Sequence, residues 1–179
     1  MTQLIPPVSI IDNSYGNPAA LIELVEFGDY ECPYCGRAYP IVKNIQKILG
    51  SDLKFVFRNF PLRKIHPNAF PAALATEAAA RQNRFWEMHD IIFENQRSLD
   101  ADKFIQFGVI LGLDPDRFKT DMQDQVLMAK VSKDFESGLR SGVNRTPTFF
   151  INGIKYEDHW SDYHLLEHLR SVLGELSVK

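Results

Sequence analysis

The chain has two cysteines in 179 residues, and they stand together as Cys32-Pro33-Tyr34-Cys35. Thiols three residues apart at the start of a helix lie on one side of its first turn, within reach of each other. The first would sit where unpaired backbone N–H groups and the helix dipole favour a thiolate, which lowers a cysteine pKa from about 8.5 to roughly 3.5–7.5. The second would be more shielded. That division suits thiol–disulfide exchange, with Cys32 attacking and Cys35 resolving the mixed disulfide. Other uses of two cysteines fit less well. A secreted disulfide scaffold spreads an even number of cysteines along its length. A structural zinc site needs a second ligand pair, and none follows at finger spacing.

Three further positions bear on this chemistry. Glu26 lies six residues before Cys32 on an apolar segment; pointing beneath the pair, it could exchange a proton with Cys35 if burial raises its pKa. Thr146-Pro147 precedes a second apolar segment, where a cis bond would turn the chain sharply and present the Thr146 backbone to an extended peptide. Asp29 and Glu31, in the loop before the cysteines, are expected to oppose a thiolate by like charge. His159, His164 and His168 invite a metal reading, but there is no H-E-x-x-H pattern, and a solvated helix face is expected. His89 is expected to be a half-buried packing residue. No G-x-G-x-x-G or P-loop occurs.

The elements that must position these residues follow from periodicity. Ile10-Ile11 suggests a short strand and Asn13–Pro18 turn material. Leu21–Phe27 has the aliphatic content of a central strand. Tyr39, Val42, Ile45 and Leu49 recur at helical spacing, with Pro40 expected to kink the helix and Gly50 to stop it. Leu53–Phe60 alternates as a second strand. From about 66 to 140 the pattern is helical throughout: Ala72–Gln82 with Asn68 as cap, Phe85–Gln96, and starts at Asp100 and Asp114-Pro115. A last helix is marked by Met128, Val131, Phe135 and Leu139. Thr148–Ile151, the turn Asn152-Gly153 and Ile154–Tyr156 form a hairpin. An amphipathic helix from Ser161 closes the chain, with Leu165, Leu169, Val172 and Leu176 inward.

The order is βαβ, helical block, ββα. The expected fold is α/β, a thioredoxin fold with a helical insertion between its halves: residues 1–66 and 141–179 form one domain and 67–140 the inserted subdomain. A formal net charge of −3 gives no general attraction to nucleic acid, and no apolar run approaches the ~18–20 residues of a membrane span. The N-terminus lacks the charged start and apolar stretch of a secretory signal. As written, the chain is expected in the cytoplasm; a trimmed mature form would be periplasmic or otherwise extracytoplasmic.

Beyond this arithmetic the sequence resembles the bacterial thioredoxin-fold disulfide oxidoreductases of the DsbA type. The resemblance covers roughly residues 8–175. It rests on Val25–Cys35, on Asn59-Phe60-Pro61-Leu62 followed by His66-Pro67, on Phe85–Asp90, and on Thr146–Gly153. It implies Cys32 as nucleophile, Cys35 as resolving thiol, Glu26 as the buried carboxylate and Pro147 as a cis-proline. Pro33, Tyr34, Thr146 and Pro147 would touch substrate. It also implies protein or peptide thiols as substrates, a redox recycling partner, and no cofactor beyond the cysteine pair. A monomer is expected, since isomerases of this kind dimerise through an added domain.

Two departures stand out. The middle dipeptide is Pro33-Tyr34, as in many glutaredoxins, where strongly oxidising members carry Pro-His; a weaker oxidant is therefore expected. Tyr156–Trp160 replaces a commoner Gly-containing segment. Three rival functions remain: a glutaredoxin-like reductase using glutathione, a dimeric metal or iron–sulfur binding module sharing Cys32 between chains, and a peptide-holding adaptor without catalysis.

Overall fold

A computed structural model describes residues 2–161 and 163–177. The elements in order are β1 (Asn13–Gly16), β2 (Ile22–Gly28), α1 (Pro33–Leu49), β3 (Leu53–Asn59), α2 (Ala69–Ala80), α3 (Phe85–Glu94), α4 (Ala101–Ile110), α5 (Pro115–Asp121), α6 (Gln125–Arg140), β4 (Thr148–Ile151), β5 (Ile154–Lys155) and α7 (His164–Ser177). The strands form one sheet in the order β1-β3-β2-β4-β5. β2 and β3 are parallel, as a strand–helix–strand unit requires, and β4 runs antiparallel to β2 with Glu26 opposite Phe149.

Because β2 is central, both its faces are buried, and its side chains divide by alternation between two apolar clusters. Ile22 and Leu24 join the larger cluster with Cys32, Cys35, Val42, Ile45, Phe57 and Phe93. Val25 and Phe27 join Leu4, Val56, Phe60 and Phe150 on the other side. By that alternation Glu26 shares the face of Ile22 and Leu24, toward the cysteines. α1 runs unbroken through Pro40 and ends at Gly50, whose φ of 51° is a left-handed conformation that costs a glycine little.

Five helices lie between β3 and β4. α2 is buried almost all round, and its alanines let α3 and α6 approach closely. Asp100, Asp114 and Asp124 cap α4, α5 and α6 by accepting backbone N–H bonds. The hairpin turn has φ of 47° at Asn152 and 79° at Gly153, the pair of positive angles a type I′ turn demands.

Several expectations need correction. Ile10 and Ile11 form no strand and lie exposed, whereas Asn13–Gly16, expected to be a turn, is edge strand β1. Polar anchors hold this segment: Arg58 donates to both carboxylate oxygens of Asp12 at 2.7 and 3.0 Å, Asn13 Nδ2 donates to Glu77, and Trp86 Nε1 donates to the Ser14 carbonyl. Asn68 does not cap α2 with its side chain. In α6, Met128, Val131 and Phe135 pack on the core, Phe135 stacking on Phe60, but Leu139 is exposed and Gly138 takes the inward place. A Cβ at Gly138 would stand 2.6 Å from the Phe60 ring, so the helix seats on the sheet through a residue without a side chain. The final helix begins at His164 rather than Ser161; residue 162 lies outside the described residues.

Candidate active site

Cys32 is the N-cap of α1, with an extended backbone, and Pro33 opens the helix where a missing N–H costs nothing. Both cysteines are free thiols. Cys35 is fully buried, accepting the Asp29 N–H at 3.4 Å, and Cys32 is 4 % exposed. Their environments push them in opposite directions. Cys32 falls to about 5, first because the Cys35 thiol donates to its thiolate, then through Thr146 and the backbone N–H groups of Cys35 and Tyr34; burial works against this. Burial drives Cys35 well above the ordinary thiol range, with the charges of Glu26 and the Cys32 thiolate adding to it.

Glu26 is buried, and its carboxyl is raised to about 8, mainly by desolvation and then by the negative charge of the Cys32 thiolate. Across the cleft, the Cys32 thiol donates to the Thr146 carbonyl at 3.5 Å. The Thr146–Pro147 bond is cis, as is Ile5–Pro6. The Thr146 hydroxyl is buried without a hydrogen-bond partner.

The structure sorts the expected substrate contacts into two clefts. Tyr34, Thr146 and Pro147 line one of about 460 Å³, together with Arg145, Asp158 and Trp160. Pro33 lines another, between α1 and the Phe93–Ser98 segment. Tyr34 is 56 % exposed, with the Arg37 guanidinium 4.4 Å above its ring. The Tyr156–Trp160 segment thus supplies one wall of the Thr146 cleft.

Asp29 and Glu31, in the loop before the cysteines, are held by hydrogen bonds to distant segments. Asp29 is buried; Oδ1 accepts the N–H groups of Glu31 and Cys32, and Oδ2 accepts the Leu62 N–H and lies 2.8 Å from His66 Nδ1. Glu31 accepts the backbone N–H and the side-chain amide of Asn68. His89 is fully buried rather than half-buried, pairs with the Tyr30 hydroxyl at 2.9 Å, and is pushed down to about 3 by desolvation. Sequence reasoning missed Gln96, whose side-chain amide donates to the carbonyls of Tyr30 and Cys32, each at 2.9 Å. The only local signal was Gly36 directly after the cysteine motif. His159, His164 and His168 lie exposed, and no group of three or more potential ligands among the described residues is arranged to hold a metal ion.

Comparison with known proteins agrees with this geometry. Residues 9–170 match the family model described as Thioredoxin. BdbD from Bacillus subtilis is 26% identical with a TM-score of 0.80, over 91% of this chain and 93% of that one. Alpha-DsbA1 from Wolbachia pipientis, 20% identical, shares the fold with a TM-score of 0.81 over 96% and 95%. Among curated sequences, the Na(+)/H(+) antiporter NhaA 1 of Mycolicibacterium gilvum is 38% identical over 165 residues, 91% of this chain and 27% of that protein. The antiporter NhaA of Herminiimonas arsenicoxydans is also 38% identical, over 83% of this chain and 24% of that protein. The chain spans about a quarter of the length of these relatives. Strand order, the motif at the head of α1 and the helices between β3 and β4 all agree with these likenesses: the chain belongs to the thioredoxin family and has its DsbA-like fold.

Proposed function

We propose that the protein is a thiol–disulfide oxidoreductase that exchanges its Cys32–Cys35 pair with cysteines of protein or peptide substrates. The observation that carries this reading is the placement of the two thiols: Cys32 caps α1 with its sulfur 3.5 Å from the Thr146 carbonyl, and Cys35 lies fully buried in the first turn behind it, which pushes the first thiol down and the second up. The Cys32 thiolate attacks a substrate disulfide; a Cys32–substrate bond forms, and the second substrate sulfur leaves as a thiolate that takes up a proton. Cys35 then loses its proton and attacks Cys32 Sγ. The Cys32–Cys35 bond forms, the remaining substrate sulfur leaves, and two electrons have passed to the substrate. Run backwards, the same steps donate a disulfide.

Glu26 is the proton acceptor for Cys35 in this scheme. Part of its elevation comes from the Cys32 thiolate. Capture of Cys32 in a mixed disulfide removes that charge, so Glu26 ionises more readily at the step where Cys35 must be deprotonated. The cleft of Tyr34, Thr146 and Pro147 takes the peptide flanking the attacked sulfur, with the Thr146 backbone available for strand-like pairing. A separate redox protein restores the pair after each turnover.

The antiport named for the curated relatives belongs to proteins of which this chain matches a quarter, and no helix among the described residues is long and apolar enough to cross a membrane. The test is exchange with insulin disulfides. Cys32→Ser should abolish it and Cys35→Ser should accumulate mixed disulfides; normal turnover by either variant would sink the two-cysteine scheme. The reduction potential then fixes the direction of use. A value well above about −200 mV fits a disulfide donor in an oxidising compartment, and one near about −250 mV or below fits a cytosolic reductase, including the glutathione-dependent alternative.

A further inference from the structure

Gln96 stands in the short 3-10 turn Gln96–Ser98 that follows α3, 64 residues from Cys32 in the chain. Its side-chain amide is the contact that this turn makes with the carbonyls of the motif. One Nε2 group donates to both the Tyr30 and the Cys32 carbonyl. The Cys32 carbonyl also accepts the Gly36 N–H, the first bond of α1, while the Cys32 N–H is taken by Asp29 Oδ1 at 3.1 Å. The peptide units on either side of the nucleophile's Cα are therefore held from outside the motif, one by Asp29 and the other by Gln96.

A second observation shows that this seat is built into the motif. A Cβ placed on Gly36 would lie 2.2 Å from Gln96 Oε1 and 2.8 Å from its amide carbon. The bare Cα of Gly36 makes room for the Gln96 amide. An alanine there would force Gln96 to move, since its side chain is the flexible partner of the two.

We propose that Gln96 is a positioning residue through which the segment after α3 fixes Cys32 at the head of α1 and so sets the redox balance of the Cys32–Cys35 pair. This rests on the reading of that pair as the redox centre. The positive end of the Gln96 amide faces the loop, and its two bonds hold Cys32 where the N–H groups of Tyr34 and Cys35 reach the sulfur. Without them the thiolate loses donors, the reduced form is less favoured, and the pair becomes a weaker oxidant.

The experiment titrates the thiolate by its ultraviolet absorbance and equilibrates each protein with glutathione, using wild type, Gln96→Ala, Gly36→Ala and the double variant. Gln96→Ala should raise the Cys32 titration midpoint by about one pH unit and move the glutathione equilibrium about tenfold toward the protein disulfide. Gly36→Ala should reproduce both shifts although alanine is the better helix former, which separates positioning from loss of stability. In the double variant the shifts should not add, because both changes remove the same contact. If Gln96→Ala only lowers the melting temperature, or if Gly36→Ala titrates and equilibrates as wild type, the proposal is overturned. Should wild type fail to exchange with glutathione, the redox reading falls, and the absorbance titration still decides whether Gln96 acts on Cys32.

Discussion

The Thr146 hydroxyl is buried beside Cys32, has no hydrogen-bond partner, and belongs to the residue whose carbonyl accepts the Cys32 thiol proton at 3.5 Å. An orphaned buried hydroxyl is costly unless another state of the site uses it. The thiolate is that state: once the proton leaves Cys32, the sulfur becomes an acceptor and the hydroxyl a donor. Thr146→Val keeps the shape and removes the donor. The Cys32 pKa should rise from about 5, and the pair should become less oxidising, read by thiolate absorbance and glutathione equilibrium. Stability of the reduced protein at low pH, where Cys32 is a thiol, should be unchanged or slightly higher.

Glu26 makes a prediction about stability against pH. Its carboxyl is near 8 in the folded protein and near 4.5 when unfolded, so between those values the native state holds a proton that the unfolded state has lost. Stability from this group is therefore present below about 4.5 and is lost as pH rises through 8. Glu26→Gln should remove the slope. Measured by denaturant unfolding of the reduced protein, the variant should gain on wild type from pH 5 to 8, by at most on the order of 4 kcal/mol. The same variant should slow release of mixed disulfides at neutral pH, because Cys35 has lost its proton acceptor.

His89 has the opposite sign. It is about 3 when folded and 6.5 when unfolded, so its contribution is complete above 6.5 and lost as pH falls toward 3. His89→Leu should flatten the acid side of the stability profile. At pH 7 it should cost about 1–3 kcal/mol, since it removes the His89 partner of the Tyr30 hydroxyl, buried among Phe57 and Phe93. A profile still falling as steeply below pH 6 would assign the acid sensitivity to other groups.

Asp29 joins the active-site loop to the segment after β3. Asp29→Asn can keep an acceptor toward Cys32 N–H only by turning its amide group toward the Leu62 N–H, a donor against a donor. We expect a loss of roughly 2–4 kcal/mol and faster hydrogen exchange at Leu62, with the amides of β2 little affected. Uniform acceleration across the sheet would mean that the residue supports the whole domain.

Much of this could be read from the residues alone. The strand before the motif, the kind of turn at Asn152-Gly153, the aspartate caps and the cysteine pair are each specified by near neighbours, and the structure has them where spacing puts them. The departures are interactions between distant segments. β1 has turn-like residues and is a strand because β3 offers it an edge and Trp86 covers Ser14 and Tyr15. The partners of Asp29 and Glu31 were not legible, because Leu62, His66 and Asn68 are more than thirty residues away. Leu139 fits the helical stripe of Met128, Val131 and Phe135, but past Phe135 it is Gly138 that lies against the Phe60 ring, leaving Leu139 exposed. Gln96 had no signature beyond Gly36, since an amide gains its meaning here from two carbonyls on another segment.

The bonds from Asp29 to Leu62 and His66, from Glu31 to Asn68, and from Gln96 to Tyr30 and Cys32 attach the motif at three places to the stretch between β3 and α4. Those helices are therefore tied to the motif. Swinging them away to admit a bulky client would release the nucleophile from its mounting at the moment of attack. Under the proposed function, a substrate that leaves these bonds intact would have to bring its own flexibility, and cysteines in unfolded or loosely tethered segments would be the ones this surface reaches.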